Sequence, residues 1–353
     1  MAGRKVNNKK GTTYKDSGVD IDVGAKSVEL ISKHVNSTHD ERVLGGIGAF
    51  GGLFDISDIL RNYKNPVLVQ SIDGVGTKLM VASLANDHTT VGADIVNHGC
   101  DDILCQGAKA ITFLDYIAMS KLDAYQVEEI VRGMASACRD AGVAILGGET
   151  AELPGMYRDN EYDVAGIMTG VVERDKMVNG KTIKPGQVLI GLASNGLHTN
   201  GYTLARKVIF EMENLGINDK PDGFDATIGE TLLRPHTNYA PAVLEFLEKT
   251  TVYGMAHITG GGIAGNLIRI LPEKMTAIIK RGSWPSLPVF DLIREKGKVP
   301  QEEMDRAFNN GIGFIIVMDK NDADSALEFF NLKGHASFKI GEIAEGARGV
   351  VFL

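Results

Sequence analysis

The 353-residue sequence has little sulfur, no long apolar run and no surplus of positive charge. Its three cysteines, Cys100, Cys105 and Cys138, form no CxxC pair and leave an odd count. A disulfide framework is thereby excluded, and a reducing, cytoplasmic setting is expected. No apolar stretch reaches the ~18 residues that a membrane-spanning helix needs. The opening MAGRKVNNKKGTTYKDS is basic but has no apolar centre, so it does not read as a secretory signal. A flexible tail over 1–19 is expected instead. The net charge of −8 argues against nucleic acid, whose phosphates attract a basic face. A small phosphorylated substrate is still allowed, because a metal ion and a few N–H groups supply the field it needs. A phosphate-binding P-loop is missing too. Asp175 stands where the first glycine before Gly180-Lys181-Thr182 should be.

What is present is the composition of a globular protein, 44% apolar and 23% charged. The length predicts two domains of about 150–180 residues each. Interleaved strand and helix patterns over 20–172 give one α/β domain. The polar stretch 173–186 is the expected linker, and 187–353 is the second α/β domain.

The stretch 67–119 carries the densest chemistry. Val67–Ile72 is a short β-branched run begun by Pro66, hence a buried strand. It ends in Asp73-Gly74-Val75-Gly76-Thr77-Lys78, where Gly74 and Gly76 permit a tight turn. A carboxylate at a strand's end is where α/β folds place ligands, and Asp73 suits Mg²⁺. Lys78 offers a point charge to a phosphate. Val91–Ala108 reads as a helix with Asp94, His98 and Asp102 on one face. A shared cation removes the cost of burying those carboxylates unpaired. Asp101 is turned away from that face, and Gly107 closes the helix. Strand Ala110–Met119 follows.

Later segments add loops at element ends. Val143–Leu146 is a short strand that puts Glu149 beside glycines at its end. Strand 187–193 runs into Ser194–Gly201, which contains Asn195, His198, Thr199 and Asn200. Thr199 or Asn200 would cap helix Tyr202–Glu213, whose start is a candidate anion site. Two literal GxGxxG patterns occur, at 46–51 and 260–265. No clear strand precedes the first, so it reads as a Gly-rich loop. The second joins strand Val252–His257 to helix Asn266–Leu271. A dinucleotide reading of it would rest on Arg281 after the next strand.

Nine segments carry a resemblance that runs through the chain from about residue 14. They are YKDSGVDIDVG (14–24), GGIGAFGGLF (45–54), DGVGTK (73–78), DILCQGA (102–108), FLDY (113–116), GGETAELPGMY (147–157), YDVAGIMTGVV (163–172), SNGLHTNGY (194–202) and HITGGG (257–262). In this order they resemble the phosphoribosylformylglycinamidine cyclo-ligase, or aminoimidazole ribonucleotide synthetase, family. The resemblance implies two mixed α/β domains and a homodimer whose N-terminal domains pair their sheets into a barrel. It implies ATP with Mg²⁺, and leaves a monovalent-cation requirement open. It also implies a small phosphorylated substrate, with no nucleic acid or membrane partner.

On these positions the implied roles are as follows. Asp73, Asp94 and Asp102 hold metal. Asp73, Gly74, Gly76, Thr77, Lys78 and Gly107 lie against the nucleotide. Glu149, Asn195, Thr199, Asn200, Thr259, Gly260, Gly261 and Gly262 face the substrate, and His198 and His257 are the candidate bases. The chain departs from the family pattern at Asp101, where asparagine is usual, and at Ala110, where proline is. Two other readings are a kinase-like enzyme of the same superfamily and a non-catalytic nucleotide-binding paralogue.

Overall fold

The computed structural model describes residues 12–353. Of the expected tail, residues 1–11 lie outside the described residues, and Lys15–Ser17 forms one 3₁₀ turn. The first half runs α1 (Ile21–Asn36), α2 (Ser57–Asn62), β1 (Pro66–Gly74), α3 (Lys78–Ala85), α4 (Thr89–Leu104), β2 (Lys109–Met119), α5 (Ala124–Ala141), β3 (Ala144–Glu152) and β4 (Tyr162–Glu173). The second runs β5 (Val188–Ala193), α6 (Tyr202–Arg206), α7 (Ile228–Leu232), α8 (Ala240–Leu247), β6 (Val252–His257), α9 (Gly262–Leu267), β7 (Met275–Ile279), α10 (Pro288–Lys296), α11 (Gln301–Ala307), β8 (Ile312–Met318), α12 (Ala323–Leu332), β9 (Ser337–Glu345) and β10 (Gly349–Phe352).

Each half builds one sheet. The first has four strands in the order β1-β4-β2-β3, and the second has six in the order β10-β7-β9-β5-β8-β6. In the first sheet only β2 and β3 run parallel; β4 is antiparallel to both β1 and β2. Helices α4 and α5 cover one face of it. The cap chemistry of α5 is legible: Asp123 accepts from the N–H groups of Tyr125 and Gln126 to start it, and left-handed Gly142 stops it. The two helices approach at glycines. A Cβ on Gly92 would lie 1.9 Å from the Ile130 carbonyl oxygen, and one on Gly133 1.9 Å from that of Thr89. Gly133→Ala gains helix propensity of about 1 kcal/mol. It nevertheless forces backbone apart, so a net loss of about 3 kcal/mol or more is expected in urea denaturation.

The other face of the four-stranded sheet is largely bare. Leu68, Ile72, Leu114 and Tyr116 are exposed there, and α2 covers only one end through Ile59, Ile111 and Val171. In the six-stranded sheet β8 is buried on both faces, and its residues alternate between two cores. Phe314, Ile316 and Met318 join the large core that continues into the first half; Ile315 and Val317 join a smaller one under α9. Among the described residues no helix is long and apolar enough to cross a membrane.

Several boundaries differ from the sequence reading. Strand β3 continues to Glu152, because the Gly147–Glu152 stretch pairs with Leu114–Met119 of β2. Gly148 leaves room for the Asp115 side chain of β2, whose carboxyl burial pushes up to about 7. The helix expected over 202–213 is α6 followed by a π-helical turn, Lys207–Met212. The one expected over 266–271 begins earlier, at Gly262, and ends in a 3₁₀ turn.

Candidate active site

Helix α4 lies on the seam between the halves and contributes five polar side chains to it. Asp94, His98, Asp101 and Asp102 fall on the turns that face the second half, joined by Asn97, whose Nδ2 donates to the His236 carbonyl at 2.7 Å. Asp101 therefore does not point elsewhere. Its Oδ1 accepts from the Tyr239 N–H at 2.9 Å, just ahead of α8.

Asp73 and Asp102 converge with His98 between them. His98 Nε2 lies 2.9 Å from Asp73 Oδ2 and 3.7 Å from Asp102 Oδ2. Burial opposes a charge on His98, but the hydrogen bond to Asp73 and the nearby carboxylates outweigh it and raise its pKa. Asp102 also accepts from Ser71 at 2.7 Å and from His257 Nδ1 at 2.8 Å. Burial alone would raise the Asp102 pKa; hydrogen bonding and charge from His257, helped by His98 and Ser71, lower it to about 2. His257 itself is held below the usual histidine value by burial, which Asp102 only partly offsets. Its Nε2 meets His236 Nε2 at 2.9 Å.

The Asp102–His257 pair forms part of the wall of a cavity of about 420 Å³ between the halves. Gln70, Cys105, Asn179, Asn266 and Arg269 complete much of that wall. Arg269 is exposed and makes no ion pair among the described residues, so its charge is available to an anion.

Other expected site residues take different places. Lys78 is fully buried, with Nζ 2.7 Å from Asp94 Oδ2 and 2.8 Å from the Arg234 carbonyl. It is a seam residue and has no reach to a phosphate. Asp94 is spent on that pair and on the His236 N–H at 2.6 Å, so it is not the third member of the Asp73–Asp102 group. His198 is sealed in the seam at 2% exposure, in a left-handed conformation, 4.0 Å from the His236 ring. Burial drives its pKa well down. Neither Thr199 nor Asn200 caps α6. Gly201 is the N-cap, Thr199 Oγ1 meets His98 Nδ1 at 3.0 Å, and a five-residue helix offers no anion site.

Asn195 donates to the Pro235 carbonyl, and Thr77 meets Thr203 across the seam. Gly76 is left-handed with open space beside it, while Gly74 donates back to Asp73. Gly107 packs against Lys176 and Val178 and serves the turn. Gly260 comes up against Asn200, and Gly261 is exposed. Thr259 bonds Asn266, and Gly262 is where α11 touches backbone. Glu149 lies mid-strand, paired in register with Tyr116 on the bare sheet face. It is not at a strand end, because β3 is longer than its apolar run. Arg281 is held by both Asp305 oxygens and stacks on Phe352, which removes the dinucleotide reading.

The sequence reading missed His236, Ser71 and Arg269. His236 sits in the irregular loop Arg234-Pro235-His236, where no period marks it. Ser71 was legible, since alternation along β1 puts it on the face of Asp73.

Two α/β halves, each with its own sheet, meeting at a carboxylate- and histidine-lined cleft define an AIR-synthase-type protein. Residues 57–172 match the AIR synthase related protein N-terminal domain, and 184–353 the C-terminal domain. The chain belongs to the phosphoribosylformylglycinamidine cyclo-ligase family. It is 45% identical to the phosphoribosylformylglycinamidine cyclo-ligase of Alkaliphilus oremlandii (strain OhILAs) over 96% of this chain and 99% of that one. It is 47% identical to the same enzyme of Geobacillus thermodenitrificans (strain NG80-2) over 96% and 97%. Its fold is similar to thiamine-monophosphate kinase from Stenotrophomonas maltophilia K279a, with a TM-score of 0.68 at 16% identity, covering 93% and 95% of the two chains. It is similar too to the hydrogenase maturation protein HypE in complex with ATP, with a TM-score of 0.63 at 17% identity, covering 92% and 90%.

Proposed function

We propose that the chain closes the imidazole ring of formylglycinamidine ribonucleotide, using ATP and releasing ADP and phosphate, in de novo purine biosynthesis. ATP phosphorylates the formamide oxygen; an amidine nitrogen attacks the activated carbon, and phosphate leaves with that oxygen. The observation that carries this reading is the cavity between the halves, which borders the Asp102–His257 pair and Arg269. It sits in a chain that matches curated cyclo-ligases nearly end to end.

Mg²⁺ fits Asp73 and Asp102. Both are partly exposed carboxylates, at 46% and 28%, and their free sides face solvent, as an ion that keeps water and phosphate ligands requires. When bound, the ion neutralises charge on the triphosphate. Arg269 is the cation for the ribose phosphate. The amidine proton is taken up at the Asp102–His257 pair on the cavity wall, which favours His257 over the sealed His198 as the base. Domain roles follow: 20–172 supplies metal and nucleotide contacts, and 187–353 completes the substrate side.

Supplied with formylglycinamidine ribonucleotide, ATP and Mg²⁺, the protein is expected to form ADP and aminoimidazole ribonucleotide in equal amounts. ADP without the imidazole would favour the kinase-like reading, which the similarity to a thiamine-monophosphate kinase motivates. ATP left intact would leave only the binding reading.

The homodimer belongs to this proposal. The exposed Leu68, Ile72, Leu114 and Tyr116 form an apolar sheet face of the kind that seeks a second copy. Leu68→Glu puts a charge on it, and sedimentation velocity is expected to show a shift from dimer to monomer.

A further inference from the structure

His236 does not line the cavity, yet the seam fixes it from several sides. Its N–H donates to Asp94 Oδ1 at 2.6 Å, and its carbonyl accepts from Asn97 Nδ2 at 2.7 Å, so α4 grips the backbone on both sides of the ring. One face of the ring lies against His198, with centroids 4.0 Å apart at 32°. Gly313 makes room for that stack, because a Cβ there would come within 2.6 Å of His198 Cε1. The result is that His236 Nε2 meets His257 Nε2 at 2.9 Å. We propose that His236 is a positioning residue for the ring-closure reaction: its Nε2–H fixes the tautomer and the ring plane of His257.

The hydrogen bonds allow one arrangement of protons. The Asp102 carboxyl, its pKa lowered to about 2, is ionised and can only accept. His257 Nδ1, 2.8 Å from it, is therefore N–H. Burial holds His257 below the usual histidine value, so the ring is neutral and its Nε2 is a bare lone pair. The 2.9 Å contact then needs a donor, and His236 Nε2–H is that donor. His236 Nδ1 has no hydrogen-bond partner, so nothing draws the proton to the other side of the ring. Asp101 Oδ2 stands 3.5 Å from His236 Nε2, too far to compete with His257. His98 does not compete either, since its Nδ1 meets Thr199 and its Nε2 meets Asp73.

A base must offer its lone pair from the right nitrogen in the right place. An imidazole tied at Nδ1 alone can tilt about that one bond. Tied at both nitrogens it stays put, and the lone pair stays on Nε2 until the substrate's N–H takes the place of the His236 N–H. Holding His257 also steadies Asp102, its partner on the cavity wall. The effect on rate rests on the ring-closure reading, whereas the tautomer follows from the geometry alone.

The test uses the full chain with ¹⁵N-labelled histidine. Long-range ¹H–¹⁵N spectra separate protonated from bare ring nitrogens, and the His257 signals are those lost in His257→Gln. In the wild type, His257 is expected to show Nδ1 protonated and Nε2 bare at neutral pH. His236→Gln places an amide N–H close to the same point and is expected to keep that pattern, with kcat within about fivefold. His236→Leu removes the donor. It is expected to give a mixture of His257 tautomers and to lower kcat by about 10–100-fold. KM is expected to stay within about twofold, because His236 does not touch the substrate.

The inference is overturned if wild-type His257 carries its proton on Nε2. It is equally overturned if His236→Gln, folded by circular dichroism, loses about as much kcat as His236→Leu, or if His236→Leu changes neither tautomer nor kcat. Should His236→Leu fail to fold, the wild-type spectrum and the His236→Gln rate still decide. A chain that forms no aminoimidazole ribonucleotide defeats the ring-closure reading, and the wild-type tautomer then decides separately whether His236 holds His257.

Discussion

Replacing Lys78 with methionine is expected to destabilise the protein by about 3–5 kcal/mol, the cost of stranding one member of a buried ion pair. Both side chains of the pair are fully buried. Burial lowers the Lys78 pKa and raises that of Asp94, so each tolerates its charge only because the other is beside it. In Lys78→Met the Asp94 carboxylate keeps the His236 N–H but loses its cation, and the Arg234 carbonyl loses a donor.

The loss should depend on pH, with a definite sign. A carboxyl whose folded-state pKa is raised binds more protons folded than unfolded. Stability then falls as pH rises through that raised value. Lys78→Met is therefore expected to be less damaged at pH 5 than at pH 8 in urea titrations. Lys78→Met combined with Asp94→Leu is expected to recover more than half of the loss, because no charge is left stranded. Equal destabilisation in the single and double variants would mean that packing, not charge, sets the cost.

Asp102→Asn is expected to lower kcat by about 10²–10⁴. Asp102 serves two groups, and the pH profile separates them. Its hydrogen bond raises the His257 pKa against burial. Removing it lets that pKa fall further. If His257 is the base, the acid limb of kcat/KM moves to lower pH while the plateau drops. If Asp102 acts through Mg²⁺ alone, the limb stays in place and the Mg²⁺ needed for half activity rises instead. Ser71→Ala removes a single neutral donor to Asp102 and is expected to cost far less, within about tenfold.

The fold was legible where local rules decide it. The run at 67–72 became β1 with one or two residues added at each end, since Pro66 and the Asp73-Gly74 turn bound it, but it is an edge strand with no buried residue and not the buried strand its apolar run suggested. Asp20 and Asp123 cap the helices that follow them, as their side chains require. The convergence of Asp73, Asp102 and His257 was legible in part, because helix period and strand ends place the first two. What failed needed tertiary contacts. Lys78 looks like a solvent-facing charge until the 234–239 loop is laid over α3 and α4. His198 looks like a loop histidine until Gly313 and Tyr239 close around it. Glu149 was misplaced because glycines were read as a strand's end, while β2 holds them in register.

The density of polar contacts that α4 makes with residues 234–257 bears on how this gene can be cut and recombined. The 174–187 segment looks like an ideal crossover point for chimeras, being polar and short of regular structure. Yet Asp94, Asn97, Asp101 and Asp102 are each matched to a particular N–H, carbonyl or ring in the other half. A hybrid joined there inherits one side of that lock from each parent. Its success turns on whether helix 89–104 and the 234–257 stretch come from the same parent, whatever the overall identity of the two sequences.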